Sequence, residues 1–317
     1  MCTAISYRTK DHYFGRNLDI ERGYGERVVI TPRNFRLDFR HVGSLSSHYA
    51  MIGMAAVIGG YPLYFEATNE KGISMAGLNF PKNAFYGDYA VGKQNIAPFE
   101  LVPYLLGKCG DFCEVREALE SVNVANISFR EDLPVTPLHW LISDGEGSLT
   151  LECTREGMKL YDNPFGVLTN NPPFPFHVSN VEHYMALHAG LADNKMSARL
   201  ALDNHSLGLG AFGLPGDFSS SSRFVRAVFV KESSFSGDAE TESVNQFFHI
   251  LSSVAMPKGC VLTAGGEYEY TRYSCCCNTD TQVYYYTTYE DCSVRRVDMH
   301  AVDLSGEAIY MKEEKYE

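Results

Sequence analysis

The sequence predicts an α+β fold in which antiparallel sheets pack against helices in one layered domain. Three observations carry this expectation. Strand signals arrive in consecutive runs separated by short polar or glycine-containing turns, the spacing of hairpins and meanders. Helical periodicity is confined to a few later stretches, so the order along the chain is strands, helices, strands, helices, strands. That order lacks the regular strand and helix alternation of parallel sheets.

The chain opens on a hairpin, with residues 3–7 and 13–17 as strands around a polar turn at 8–12. Paired positions in a hairpin sum to a constant, and a turn centred near Thr9-Lys10 sets that sum at about nineteen. Cys2 is then expected beside Arg16 and Asn17. Further strand signals lie at 27–31, 50–58, 63–67 and 73–79, the last two joined by the turn Asn69-Glu70-Lys71-Gly72. Residues 41–65 contain no Asp, Glu, Lys or Arg and so invite comparison with a membrane span. Ser44, Ser46, Ser47, His48, Gly59, Gly60 and Pro62 interrupt that stretch, which instead predicts two buried strands around Gly59-Gly60. A helix is expected over 112–122, where Asp111 can cap, Glu114 has capping-box spacing, and Val115, Ala118, Leu119 and Val122 form an apolar stripe. Strands at 138–143 and 149–153 bracket Gly145 and Gly147. Ser179 and Glu182 predict a helix running to about 187, and Val244, Phe247, Phe248, Leu251 and Val254 predict one over 242–256. Strands at 268–276 and 283–289 close the chain around a turn at 278–280. Neither an internal repeat nor a low-complexity linker divides the sequence, so one domain over 1–317 is expected.

A hydrophobic fraction of 45% supplies a substantial core, and 21% charged residues is ordinary for a globular protein. The net charge of −12, with no run of Lys and Arg, argues against binding nucleic acid or anionic membrane surfaces. Arg8, Lys10, Asp11, Arg16 and Asp19 leave no apolar run of the secretory kind near the start, and nine cysteines are an odd count. Reduced thiols in a cytoplasm are expected.

Three patterns mislead. Gly208-x-Gly210-x-x-Gly213 matches a dinucleotide fingerprint but has loop-like flanks instead of a strand and a helix. Cys275, Cys276 and Cys277 are adjacent, and neighbours on a strand point to opposite faces, so they cannot chelate one metal together. Cys109 and Cys113 read as structural thiols, with no local signature for a pairing with His139 or His177. No metal or cofactor is expected.

Cys2 carries the chemistry. If Met1 is removed, one residue holds both a nucleophilic sulfur and an α-amino group, whose pKa of ~7.7–8.0 lets it accept the thiol proton. A small second residue is commonplace, so Cys2 alone is a weak signal. The segment Phe14-Gly15-Arg16-Asn17-Leu18-Asp19 strengthens it by bringing a permanent cation and a carboxylate within hairpin reach. Arg16 would favour the thiolate, and Asp19 could orient the amine. An ordinary Arg/Asp ion pair at a strand end explains the same two residues.

Met1-Cys2-Thr3-Ala4, the 14–19 segment, the 69–72 turn, Ala76-Gly77-Leu78-Asn79-Phe80, Leu168-Thr169-Asn170 and Ser222-Arg223-Phe224 together resemble the choloylglycine hydrolase family. The blocks keep the family's order and extend over nearly the whole chain. The family comprises bile salt hydrolases and penicillin V acylases, so the resemblance implies a four-layer αββα sandwich of the N-terminal nucleophile hydrolases. It implies that Cys2 attacks an amide carbonyl, that Arg16 and Arg223 support the thiolate, and that Asp19 orients the amine. The N–H of Asn79 and the side chain of Asn170 would form the oxyanion hole, with Asn171 and Arg226 as alternatives to Asn170 and Arg223. Asn79 sides with bile salts, since penicillin V acylases tend to carry Tyr there. The family's pocket positions fall on Leu18, Ile58, Phe65, Phe129 and Leu133, with Tyr24 from the neighbouring loop. The resemblance further implies a homotetramer assembled through a loop at about 188–220. Turnover of penicillin V or an N-acyl amide, or a silent sterol-binding homologue, are the competing expectations.

Overall fold

The computed structural model describes residues 1–312. Strands β1 (Cys2–Arg8) and β2 (His12–Ile20) form the opening hairpin, closed by Thr9 N–H donating to the Asp11 carbonyl at 2.9 Å. Its register differs by one residue from the sequence expectation. Cys2 pairs with Leu18 and Ala4 with Arg16, because the turn centres on Lys10 and the sum is twenty. Opposed residues share a face, so this slip puts Leu18 and Arg16 on the face of Cys2, where the expected register would have put Asn17.

Next come β3 (Arg27–Thr31), β4 (Met51–Ile58), β5 (Tyr61–Asn69) and β6 (Ser74–Asn79), the expected meander. Gly59 and Gly60 turn β4 into β5 at φ of 61° and 82°, values that a Cβ disfavours. The charge-poor stretch is therefore a hairpin, and among the described residues no helix is long and apolar enough to cross a membrane. The remaining principal strands are β7 (Leu138–Ser143), β8 (Ser148–Thr154), β9 (Gly157–Asp162), β10 (Val167–Leu168), β11 (Tyr268–Asn278), β12 (Val283–Thr288), β13 (Arg295–Asp298) and β14 (Tyr310–Met311). Two large antiparallel sheets result. The first runs β10-β1-β2-β11-β12-β13, with Val261–Leu262 beside β11, and the second runs β9-β8-β7-β6-β5-β4-β3-β14.

Helices α1 (Leu101–Lys108) and α2 (Phe112–Ser121) cover the second sheet. On the first sheet lie α4 (Ser220–Ser233) and α5 (Glu240–Ser252), while α3 (Phe174–Glu182) packs on α4. The strand alternation sorts the cores. Met75 and Trp140 join the layer under α1 and α2, and their neighbours Ala76 and Leu141 join the core that includes the space between the sheets. Helices, sheet, sheet, helices is the expected αββα sandwich.

Several helices depart from expectation. The one expected to run from Ser179 to about 187 occupies Phe174–Glu182, starting five residues earlier because Pro175 suits a first turn whose N–H groups have no helical acceptor. Asp111 caps α2 as expected, accepting Glu114 N–H at 2.9 Å, but the Glu114 carboxylate reaches back to Gly110 N–H instead. Helix α1 ends at its C-cap Cys109, where a helical segment is expected to end, whereas α4 has no counterpart in the sequence expectation. Gly208 to Gly213 holds a single 3-10 turn, Leu209–Ala211, and no strand precedes it. Cys275, Cys276 and Cys277 are buried free thiols, and no metal-binding group of side chains occurs among the described residues.

Candidate active site

Cys2 opens β1, pairs with Leu18 and is 2% exposed. Arg16 lies diagonally across the hairpin on the same face, fully buried between the sheets. Gly15 lets β2 approach β11 there, since a Cβ on it would lie 1.9 Å from the Cys275 carbonyl oxygen. Arg16 Nη1 donates to the Gly77 carbonyl at 2.6 Å and the Phe65 carbonyl at 3.1 Å. The second acceptor exists because β5 is bulged. Met54 pairs with Glu66 and Ala55 with Tyr64, so Phe65 is the extra residue and its carbonyl is free of the ladder. Arg16 Nη2 is buried with no partner. Burial opposes its charge, yet the nearby Cys2, Tyr273 and Glu66 raise its pKa above the ordinary guanidinium value, so it stays a cation.

The opposite face of the hairpin looks toward the helices. Asn17 Nδ2 donates to the Leu251 carbonyl of α5 at 2.9 Å, and Thr271 Oγ1 donates to Asp19 Oδ1 at 2.6 Å. Asp19 Oδ2 is buried without a partner. Burial raises the Asp19 pKa, while Arg223 and the chain's amino terminus pull it back down. Met1 continues the strand: its amine donates to the Asp19 carbonyl at 2.6 Å, its own carbonyl accepts Asp19 N–H at 3.0 Å, and the amine is ion-paired with Glu269. Burial holds that amine below its ordinary pKa.

Asn170 follows β10 and links the pieces. Its Oδ1 accepts Cys2 N–H at 2.8 Å and Arg223 Nη2 at 2.8 Å, which fixes the amide so that Nδ2 donates to the Asn79 carbonyl at 2.7 Å. Asn171 turns away to the Pro81 carbonyl and Asn83 Oδ1. Arg223, fully buried on α4, donates to the Cys2 carbonyl at 2.6 Å, Thr3 Oγ1 at 2.7 Å and the Phe218 carbonyl at 3.0 Å. Arg226 instead serves carbonyls of Ser253, Pro215 and Asp217. The geometry thus separates both ambiguous pairs, and Arg223 grips the backbone and Asn170 from the helix side.

Asn79 ends β6. Leu78 pairs with His139 on β7, and Phe80 N–H donates to the Pro137 carbonyl at 2.7 Å, so these two residues turn their backbone groups toward β7. Gly77 and Asn79 alternate with them and turn theirs to the other edge, where Arg16 and Asn170 take the two carbonyls. The Asn79 N–H shares that edge. Behind Asn170 stand two buried histidines, His139 and His177. His139 Nε2 lies 3.0 Å from the Thr169 carbonyl with Nδ1 3.1 Å from Glu152 Oε1, and His177 Nε2 lies 2.9 Å from the Asn170 carbonyl. A carbonyl only accepts, so both Nε2 atoms are protonated.

Of the proposed pocket residues, Leu18 faces Cys2, Phe65 is partly buried in the same core, and Tyr24, 47% exposed, has its ring 6.5 Å from that of Phe65. Ile58 and Phe129 come together in a hollow of about 360 Å³ shared with Tyr61, Phe99 and Arg40. Leu133 is half-buried and tied by its N–H to the Arg130 carbonyl at 3.0 Å, in the segment next to Phe129. Glu66, Glu152, His139, His177 and Thr271 support the site without any sequence signal for it, because isolated polar residues inside apolar strands carry no motif.

Residues 2–312 match the family of linear amide C–N hydrolases, choloylglycine hydrolase family. A bile salt hydrolase/transferase of Lactiplantibacillus plantarum is 50% identical, covering 95% of this chain and 93% of its own. The crystal structure of the C2A mutant conjugated bile acid hydrolase from Clostridium perfringens superposes with a TM-score of 0.92 at 35% identity, covering 99% of this chain and 97% of that one. Penicillin V acylase from Agrobacterium tumefaciens shares the fold, with a TM-score of 0.77 at 19% identity over 98% and 90% of the two chains. The chain belongs to the choloylglycine hydrolase family.

Proposed function

We propose that this member of the family hydrolyses the amide bond of glycine- or taurine-conjugated bile salts, with Cys2 as its N-terminal nucleophile. The observation that carries the reading is the Cys2 nitrogen, held at 2.8 Å by Asn170 Oδ1. Removal of Met1 turns that nitrogen into a free α-amino group beside the thiol. It then lies one residue further along β1 than the Met1 amine, on the same residue as the thiol whose proton it accepts. The unpartnered Asp19 Oδ2 is the acceptor available to orient it.

The reaction follows. The amine takes the thiol proton, and Sγ attacks the scissile carbonyl while the buried Arg16 cation favours developing negative charge at sulfur. Asn79 N–H and the second hydrogen on Asn170 Nδ2 receive the oxyanion. The protonated amine passes its proton to the leaving glycine or taurine nitrogen, and water then hydrolyses the thioester to release the free bile acid. The substrate assignment is supported by the 50% identical relative, named for bile salts, and by apolar Leu18 opposite Cys2 and Phe65 in the same core. That relative's name also includes transferase, which the same thioester permits when an amine replaces water.

Parallel turnover of glycocholate, taurocholate and penicillin V tests the substrate, and faster cleavage of penicillin V would overturn it. Intact mass tests the nucleophile: the active protein should lack Met1, and full activity with Met1 retained would remove the amine base. We further propose a single domain over 1–317, acting in the cytoplasm as a homotetramer joined through the loop at about 188–220. Met196, Leu207 and Phe212 are each more than 80% exposed there, an apolar surface that favours burial by another copy. Light scattering of the parent protein should give four chains, and a monomer would end that assignment.

A further inference from the structure

A buried carboxylate lies behind Arg16, in the core between the sheets, and the mechanism above leaves it without a role. Glu66 is 2% exposed. It accepts Tyr273 Oη at Oε2 and Tyr284 Oη at Oε1, both at 2.6 Å, and Met54 N–H at Oε1 at 3.2 Å. Its Oε2 lies 3.9 Å from Arg16 Nε. These contacts depend on the bulge. Tyr64 packs outward against the second core, and in a regular strand Glu66 would follow it to that side. The extra residue at Phe65 turns Glu66 inward, toward the first sheet.

We propose that Glu66 is a positioning residue that sets how much of the positive charge of Arg16 reaches the Cys2 thiol. Arg16 is one cation between two groups, with Glu66 behind its Nε and the face of Cys2 in front. Its Nη2 has no partner, whereas Nη1 is held by two carbonyls. A buried cation with no counter-charge would push Cys2 toward the thiolate at all times, and thiolates of lowered pKa are weaker nucleophiles. Glu66 restrains that push. Every element around the cluster contributes: Cys2 from β1, Arg16 from β2, Tyr273 and Cys275 from β11, and Tyr284 from β12. Burial is the largest influence on the Glu66 carboxylate and raises its pKa, while Arg16 and the two donating tyrosines act against burial and favour the charged form.

The inference rests on Cys2 being the nucleophile, and its test does not use a bile salt. In the Met1-free protein, alkylation of Cys2 by iodoacetamide is followed against pH by peptide mass spectrometry. The Glu66→Gln variant should shift the midpoint to lower pH by about one unit, the low end for a nearby charge, so that below the parent midpoint alkylation is about threefold faster once the weaker nucleophilicity of the lower-pKa thiolate is included. Its kcat should change more than its KM. Tyr284→Phe, which removes only a hydroxyl, should move the midpoint the same way by less. An unmoved midpoint in both variants, whatever the loss of thermal stability, would show Glu66 to be structural and overturn the inference. So would a shift to higher pH. If Glu66→Gln does not fold, Tyr284→Phe alone decides by the same criteria. Absent bile salt turnover with the expected alkylation shift would fail the substrate reading alone.

Discussion

The two seams between helices and sheets bury different chemistry. Under α1 and α2, residues such as Leu101, Leu105, Leu106 and Val115 meet Met75 and Trp140 in a layer made mainly of apolar contacts. Under α4 and α5, Phe224, Phe247 and Leu251 do the same work, but Arg223, Asp19, Asn17 and Asn170 are buried among them. Each polar group there is held by named partners, except at the atoms nearest the chemistry. Six buried polar atoms lack partners among the described residues, and two of them, Trp140 Nε1 and Tyr61 Oη, belong to the layer under α1 and α2. Asp19 Oδ2 and Arg16 Nη2 lie on the two faces of the Cys2 hairpin, and Glu152 Oε2 and His177 Nδ1 lie behind Asn170. One seam holds the molecule together, and the other spends part of its burial on groups that a purely structural layer would omit.

Substitutions should separate the two. Cys2→Ala should abolish turnover with an unchanged melting curve, the largest effect on activity. Asn170→Ala removes a proposed oxyanion donor and should lower kcat by ~10²–10³, about 2.7–4 kcal/mol, in steady-state kinetics. Across the molecule, Leu105→Ala should cost about 2–5 kcal/mol in urea unfolding and leave kcat of the folded protein unchanged. A polar seam also brings pH dependence. Burial lowers the pKa of His177 to about 4, and burial followed by the Arg8 charge lowers that of His12, between β1 and β11, to about 4. The unfolded chain then binds protons that the folded one excludes, so stability is complete above about pH 6.5 and falls toward pH 4. Each histidine should cost about 2 kcal/mol at pH 5 relative to pH 7, read by urea unfolding. Smallest is Asp111→Ala, which uncaps α2 for about 1 kcal/mol and should not touch activity.

What the sequence disclosed follows the same division. The sheets were legible because alternation and turns such as Gly59-Gly60 are local signals. Helix α1 was legible only as a helical segment ending at Cys109, since Leu101 to Gly107 is buried on every side and shows no polar face from which to read its extent. Helix α4 begins in a serine run, Ser219 to Ser222, that reads as loop until Ser219 is seen accepting Ser222 N–H. Local reasoning found Cys2, Arg16 and Asp19, which a hairpin brings together, and placed the register one residue out because a turn's centre is uncertain by that much. Asn79, Asn170 and Arg223 came from family resemblance, as no local pattern relates residues so far apart. Glu66 was invisible, because its inward direction depends on a bulge that composition does not announce.

That bulge also bears on chain length. If Phe65 were deleted, Tyr64 would precede Glu66 directly, and Tyr64, Glu66 and Ala67 would alternate outward, inward, outward as a regular strand does. The ladder with β4 would close without interruption. Arg16 would lose the carbonyl at 3.1 Å and the pocket an aromatic ring. A shorter chain would therefore make the more regular sheet while leaving the buried Arg16 cation with one acceptor fewer.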